Sequence, residues 1–433
     1  MRYARGVLLV VLTAGPVLAG ASASSAVPSD PPVDPEAAQV EPSQSPPPSA
    51  SPSPAASGIE DPAVAPARPG WIRRIDRLTS GRPVSVCVGS AGTYLYRHKA
   101  GVRRTPASNE KLLLSMAILD RLGPDFRVAT QAAAGRPPGR SISGRLWILG
   151  TGDPETDRSA MRDLARRVRA AGVRRIRGRV FGSTGYFAHD WWARGWKPSF
   201  PSDEVALPTA LTFEHNEARG RHIRDPERRA AAALTKQLRA LGVRVGGKPG
   251  AGKAPRGLAR FAEVRSRPLE GLLRRANVKS KNFAAEVLGK RLGLERSGPR
   301  GTIRKGAAAI EAWARSHGVR VEAHDSSGLS YANRVTASGI VRLLWAADGA
   351  LWTDELRRAL PRGGQGTLAH RLRTVDVRAK TGTLDRISAL SGWVKLERTG
   401  TWAEFSILSR GMSKDASVRI EDRIVRAVAA NAS

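Results

Sequence analysis

The sequence predicts a mixed α+β/α/β protein: an antiparallel sheet flanked by helices, with a small α/β domain inserted into it. Three observations carry this reading. Strand-like stretches stand at both ends of the folded part, PVSVCVGS and TYLYRH early and VDVRAKTGT, ISALSGWVKLE and TWAEFSILSR late. Helical runs fill the chain between them. From Arg136-Pro137-Pro138-Gly139 to about residue 262 the pattern changes to short strands alternating with helices. One sheet assembled from residues 70–135 and 263–433, with 136–262 inserted, accommodates all three.

The N-terminus precedes this body. Arg2 and Arg5 lead an apolar run from Gly6 to Ala19, and small residues follow in AGASASSA. This order is that of a secretory signal over residues 1–23, with Ala21-Ser22-Ala23 suited to cleavage. The run is short for a membrane span, so the alternative is a retained anchor. Residues 24–69 are rich in Pro, Ser and Ala, as in EPSQSPPPSASPSPAAS. Such a stretch buries no core and reads as a spacer or a disordered leader. The body is expected outside the cytoplasm, in the cell envelope.

The folded part opens at Trp71 with the amphipathic WIRRIDRL, then two strands joined by Ser90-Ala91-Gly92. SNEKLLLSMAILDRLG has the composition of a buried helix ending at Gly123. In the inserted block SGRLWILG and IRGRVFGS read as strands, and MRDLARRVRAAG and DPERRAAAALTKQLRALG as helices. YFAHDWWARGWKP lies among them, either lining a groove or packing on its own domain. Two helices then flank Lys279-Ser280-Lys281-Asn282, further helices follow, and SKDASVRIEDRIVRAVAA closes the chain.

Charge narrows the partners. Lys and Arg number 71 against 38 Asp and Glu, a formal net charge of +33. This favours an anionic partner. The arginines are spread along the chain, with no zinc-finger spacing, RNP-like motif or basic arm, so nucleic acid is not expected and an anionic cell-wall polymer is. Cys87, the one cysteine, sits between valines and reads as a buried strand residue. No metal-ligand spacing is present and no cofactor is expected.

Three short motifs stand in order: Ser108-Asn109-Glu110-Lys111, Ser280-Lys281-Asn282 and Lys380-Thr381-Gly382-Thr383. Taken alone, each is weak. Ser108 reads as a helix cap, Ser280 to Asn282 as a turn, and Lys380 to Gly382 as a strand end. Together they form a nucleophile with its base. Ser108 would stand at a helix start, where free N–H groups and the helix dipole favour developing negative charge. Lys111 follows on the same face. It works as a base only if burial or a second cation, with Lys380 the candidate, lowers its proton affinity.

These motifs resemble the class C low-molecular-mass penicillin-binding proteins, the D-alanyl-D-alanine carboxypeptidases of peptidase family S13. TPASNEKLL, ILGTGDPETD, ALTFEHNEARG, VKSKNFAAEVLGK, HDSSGLSYANRVTA and RAKTGTLDRISALSGWV all look like blocks of that family and span most of residues 100–410. The resemblance implies a β-lactamase/transpeptidase-like fold, an acyl-enzyme on Ser108, covalent capture of β-lactams, and peptidoglycan stem peptides as substrate. It implies carboxypeptidase action on the terminal D-Ala, endopeptidase action on cross-links, or both. It gives Ser280 a proton-relay role, Asn282 and Lys380 to Thr383 the substrate, and the Ser108 and Thr383 N–H groups the oxyanion. Asp325 and Ser326 are expected at the cleft edge or in a structural role.

The Ser108-to-Ser280 spacing, 280 − 108 = 172 residues, is short for members with two inserted domains, so one is expected to be absent or reduced. Lys281 stands where Asp is common and adds a cation expected to act on Lys111 or Lys380. Two other readings remain open at this level: a serine β-lactamase or esterase of the same fold, and a non-catalytic wall-binding protein. A Ser-His-Asp hydrolase is disfavoured because Gly-x-Ser-x-Gly is absent.

Overall fold

The structure is a computed structural model and describes residues 68–430. The predicted signal peptide (1–23) and all but the last two residues of the Pro/Ser-rich linker (24–69) lie outside the described residues. The first part of the fold holds α1 (Gly70–Thr79), the hairpin β1 (Val84–Ser90) and β2 (Thr93–His98), one 3₁₀ turn at Ala107–Asn109, and α2 (Glu110–Leu122). The middle part holds β3 (Ala129–Ala134), β4 (Ser141–Ile142), β5 (Leu146–Gly150), α3 (Arg158–Ala170), β6 (Arg175–Ile176) and β7 (Val180–Ser183). It continues through α4 (Phe200–Asp203), β8 (Glu217–Ala218), β9 (Arg221–His222), α5 (Pro226–Ala240), β10 (Arg244–Val245), β11 (Gly250–Gly252) and β12 (Ala259–Arg265). The last part holds α6 (Leu269–Val278), α7 (Asn282–Ser297), α8 (Ile303–Ser316), α9 (Ala337–Asp348) and α10 (Thr353–Ala359). It ends with β13 (Val377–Leu384), β14 (Ile387–Lys395), β15 (Trp402–Arg410) and α11 (Lys414–Ala430).

Strands from both ends of the chain form one antiparallel sheet in the order β13-β14-β15-β1-β2. Its side chains alternate between two apolar layers, as the period-2 geometry of a strand requires. Val84, Val86 and Val88 of β1 meet Leu390, Phe405 and Ile407 under α1 and α11. Cys87, Ala389, Trp393 and Leu408 face the other way, onto the helices that surround α2. Burial pushes the Cys87 thiol up to about 12, so it stays protonated at neutral pH. Residues 110–119 of α2 are all buried. A helix sealed on every side cannot shift easily, and it is this helix that the turn bearing Ser108 leads into.

The middle part builds a second sheet, β11-β7-β5-β3-β12, covered by α3 and α5 through Met161, Leu164, Val168, Leu234 and Leu238. The chain enters this sheet at Ala129 and leaves it at Arg265, outside the 136–262 limits read from the sequence. The reason is local. β3 reads ATQAAA, which has no apolar alternation to mark it as a strand. Among the described residues no helix is long and apolar enough to cross a membrane.

Candidate active site

Ser108 lies in the 3₁₀ turn, and α2 begins two residues later, at Glu110, where the sequence predicted a helix start at Ser108 itself. Neither the turn nor α2 has a side-chain cap, so the hydroxyl is not spent on one. Ala107 enters the turn at φ 47°, a left-handed conformation that a non-glycine residue adopts only when its surroundings impose it. Two glycines show what imposes it. A Cβ on Gly382 would come within 2.7 Å of the Pro106 carbonyl and 3.1 Å of the Ser108 nitrogen. One on Gly328, itself at φ +81°, would overlap the Ala107 carbonyl. The turn that bears Ser108 is clamped between β13 and the loop after Ala323. From below, Asn109 Nδ2 donates to Ser391 Oγ at 2.7 Å and ties the turn to the sheet.

Lys111 is 1% exposed, and its ammonium donates to three oxygens: Ser108 Oγ at 3.0 Å, Asn282 Oδ1 at 2.8 Å and the Ser327 carbonyl at 2.5 Å. Asn282 is the first residue of α7, and its Nδ2 donates in turn to the Glu204 carbonyl at 3.1 Å. Ser280 stands between α6 and α7 at φ 52° and accepts from Lys380 Nζ at 3.0 Å. Lys380 is fully buried and also donates to the Thr381 carbonyl at 2.8 Å. Thr381 Oγ1 donates to Thr367 Oγ1 at 2.8 Å.

Lys380 to Thr383 do not end a strand, as the sequence suggested. They occupy the middle of the eight-residue β13, at the edge of the sheet. The Ala379 N–H donates away from β14, to the Pro361 carbonyl at 3.0 Å. Alternation along a strand therefore turns the Thr381 and Thr383 N–H groups toward the same free edge. Thr383 itself is exposed there.

The profile of the D-Ala-D-Ala carboxypeptidase 3 (S13) family matches residues 76–216 and 206–431. The chain belongs to this family. With the family comes the class of the enzyme, a serine D-Ala-D-Ala carboxypeptidase. Among the relatives it is similar to, a D-alanyl-D-alanine carboxypeptidase of Actinomadura sp. (strain R39) is 28% identical over 84% of this chain and 82% of its own length. Carboxypeptidase DacB of Mycolicibacterium smegmatis is 29% identical over 87% of each chain. Penicillin binding protein 4 of Haemophilus influenzae shares the fold at a TM-score of 0.71, with 19% identity over 83% of this chain and 99% of its own.

In this S13 site the electrostatics are set by burial. Burial lowers Lys111 from the ordinary lysine value to about 8, while Asp325, Glu286, Glu204 and Glu110 pull it back up. Burial holds Lys380 well below the lysine range, and repulsion from Lys111 adds to it. Lys281 was expected to act on Lys111 or Lys380, and it does not stand among the groups that set either lysine. Lys281 is exposed, and water screens its charge.

Several residues of the site went unread in the sequence. Glu286 is buried on α7, and its Oε1 accepts the N–H groups of Ser326 at 3.0 Å and Ser327 at 2.7 Å. Asp325 is structural. It accepts from Gly328 N, Ser330 N, Ser327 Oγ, Asn333 Nδ2 and Trp196 Nε1, and so folds the loop that carries Ser327 and Gly328. The tryptophan-rich stretch mainly packs on the protein, with Phe187 and Trp196 buried and Trp192 exposed. A signal existed for Glu286, because an acid four residues after Asn282 shares its helix face in an otherwise apolar run. Beside Ser280 a cavity of about 580 Å³ is lined by Arg274, Lys279, Lys281, His215, Phe283 and Gln365, among others.

Proposed function

We propose that Ser108 is the acylated nucleophile of a DD-peptidase that acts on peptidoglycan stem peptides, and that Lys111 is its base. One observation carries this reading: Lys111 Nζ lies 3.0 Å from Ser108 Oγ while two further oxygens, on Asn282 and Ser327, fix its other protons. A neutral amine donates only two hydrogen bonds. Spending them on Asn282 Oδ1 and the Ser327 carbonyl leaves the lone pair facing the serine hydroxyl. Lys111 then takes that proton as Ser108 Oγ attacks the carbonyl of the penultimate D-Ala.

The tetrahedral oxyanion is received by the N–H groups of Ser108 and Thr383. Ser280 accepts from Lys380, so its own O–H is free to give a proton to the leaving D-Ala amine and be replenished from Lys380. Asn282 and the free edge of β13, with Thr381 and Gly382, hold the peptide backbone, and Lys380 supplies positive charge for the terminal carboxylate. Water completes the cycle by releasing the acyl group from Ser108. A β-lactam follows the same first half and stays attached.

The test is mass spectrometry of the protein treated with benzylpenicillin. The adduct is expected on Ser108 and is expected to vanish in Ser108→Ala; labelling that persists in that variant overturns the assignment. Slow, stoichiometric reaction with nitrocefin supports the peptidase, and rapid turnover supports the β-lactamase alternative.

Residues 1–23 act as an export signal and 24–69 as a spacer, so the enzyme works outside the cytoplasm. Residues 129–265 form the inserted domain. The cationic cavity beside Ser280 and the net charge of +33 support an anionic wall polymer or stem peptide as partner. N-terminal sequencing of exported protein tests the signal, with a mature start at Ser24 expected.

A further inference from the structure

The site leaves two buried acids unexplained, Glu110 and Glu286, and the second is tied to the loop beside Lys111. Glu286 is 0% exposed, yet only its Oε1 is satisfied, and Oε2 has no partner. The two N–H groups that Oε1 accepts belong to Ser326 and Ser327. The Ser327 carbonyl is the oxygen that accepts from Lys111 Nζ, and the next residue, Gly328, lies against the Ala107–Ser108 peptide. Glu286 thus holds, through two hydrogen bonds, the loop that touches both the nucleophile turn and the base.

We propose that Glu286 is the positioning residue of the Lys111 base: it fixes the Ser327 carbonyl that orients the amine, and its charge governs how firmly that amine keeps its proton. The inference rests on reading Ser108 and Lys111 as nucleophile and base.

The other groups around Lys111 are less able to serve. Asp325 has its carboxylate filled by five donors. Glu110 is pushed well above the carboxylate range by burial, and its Oε1 has no partner. Glu204 is exposed to water at the cleft mouth. Lys380 bonds to Ser280 and faces Lys111 from the sheet side. Around Glu286 itself stand Asp325, which repels its charge, and Lys290, which lies close enough to feel it. Burial raises Glu286 to about 8, the value to which Lys111 is lowered.

Two variants separate the roles. Glu286→Gln keeps the length and an oxygen for the two N–H groups but removes the charge. Glu286→Asp keeps the charge and withdraws it by one methylene. The reading is the rate constant of benzylpenicillin acylation against pH, with a thermal melt of each variant. For Glu286→Gln the upper part of the ascending limb, near and above pH 8 where Glu286 ionises, is expected to move to lower pH by up to about one unit, because a carboxylate that favoured the ammonium form is gone. For Glu286→Asp the limb is expected to stay in place while the plateau falls by about 10-fold, because the loop is held less well.

A limb that does not move in a folded Glu286→Gln protein overturns the proposal. If that variant shows no cooperative melt, Glu286→Asp decides: an unchanged plateau, or a limb displaced by about a unit, overturns it as well. Absence of any adduct in the unmodified protein is a different failure, because it removes the Ser108–Lys111 reading before Glu286 is tested.

Discussion

Lys111 and Lys290 are equally hidden from water, 1% and 0% exposed, and the protein uses them in opposite ways. Lys290 contacts the Asp190 carboxylate at 2.7 Å and donates to the carbonyls of Ala188, Asp190 and Pro208 at 3.0, 3.1 and 2.9 Å. Taking its proton away would leave two N–H groups for four oxygens and an Asp190 carboxylate without its counter-charge. Lys111 touches no carboxylate and has one hydroxyl among its three partners. A hydroxyl can reverse its role from acceptor to donor, whereas a carbonyl cannot. Burial lowers the proton affinity of both lysines, so burial alone does not make a base. The kind of oxygen around the amine does.

Removing each lysine is the strongest way to break that contrast. Lys111→Ala is expected to slow acylation by benzylpenicillin by about 10²–10⁴-fold, the usual worth of a positioned base, with the thermal melt retained. Lys290→Met should do the reverse. It leaves Asp190 and three carbonyls without their donor, and the loss of one partner of a buried pair costs about 3 kcal/mol of stability. Acylation per folded molecule should stay within about 3-fold, since Lys290 makes no contact with the motifs. A large acylation defect in a folded Lys290→Met protein would show that the two sites are one.

The loop that orients Lys111 offers a smaller but more local break. Gly328→Ala places a Cβ against the Ala107 carbonyl in a backbone conformation that favours glycine. Displacing the nucleophile turn by about 1 Å is expected to cost about 10²-fold in acylation. Gly318→Ala, at a φ of +69° but with only the tip of Arg342 near its Cβ, serves as the control for backbone strain without the displacement. Equal acylation losses in the two variants would refute the clamp.

The pH profile sharpens the same contrast without mutation. In the proposed mechanism only the neutral form of Lys111 accepts the Ser108 proton, and burial lowers the group to about 8. At pH 7 about one amine in ten is free base, so acylation should rise about 10-fold per unit between pH 5 and 7 and level off above 8. A rate that is flat across this range would mean that Lys111 never titrates in the site.

The sequence was most informative where side chains repeat with a period. The alternation in VSVCVGS, ISALSGWVKLE and TWAEFSILSR marked strands whose two faces meet two cores, and the three motifs converged around one hydroxyl. It was least informative where the signal is chemical context. ATQAAA has no period, so the entry into the second sheet was missed. Glu110 looks like an ordinary helix-surface acid, and the spacing that puts Glu286 on the face of Asn282 does not say that water is excluded from either acid. Gly328 was legible only as a loop glycine, since what it abuts is more than 200 residues away in the chain. The placement of Lys380 inside β13 also needed the sheet, because strand ends and strand middles share the same residues when a hairpin follows at once.

The smallest expected effect concerns a third kind of lysine. Lys281 separates Ser280 from Asn282, so its position in the second motif places a cation beside two residues assigned to the chemistry. The structure turns it outward, into water. A charge in water at that distance is screened by solvent and salt, whereas Lys111 and Lys380 interact through protein. Lys281→Ala should therefore leave the ascending limb within about 0.3 units and benzylpenicillin acylation within about 2-fold. Its effect should appear instead with anionic stem peptides, as a rise in KM that shrinks as salt is added, because its side chain lines the cationic cavity beside Ser280. A limb displaced by a full unit would place Lys281 with the buried pair, and proximity in sequence would then have outweighed exposure.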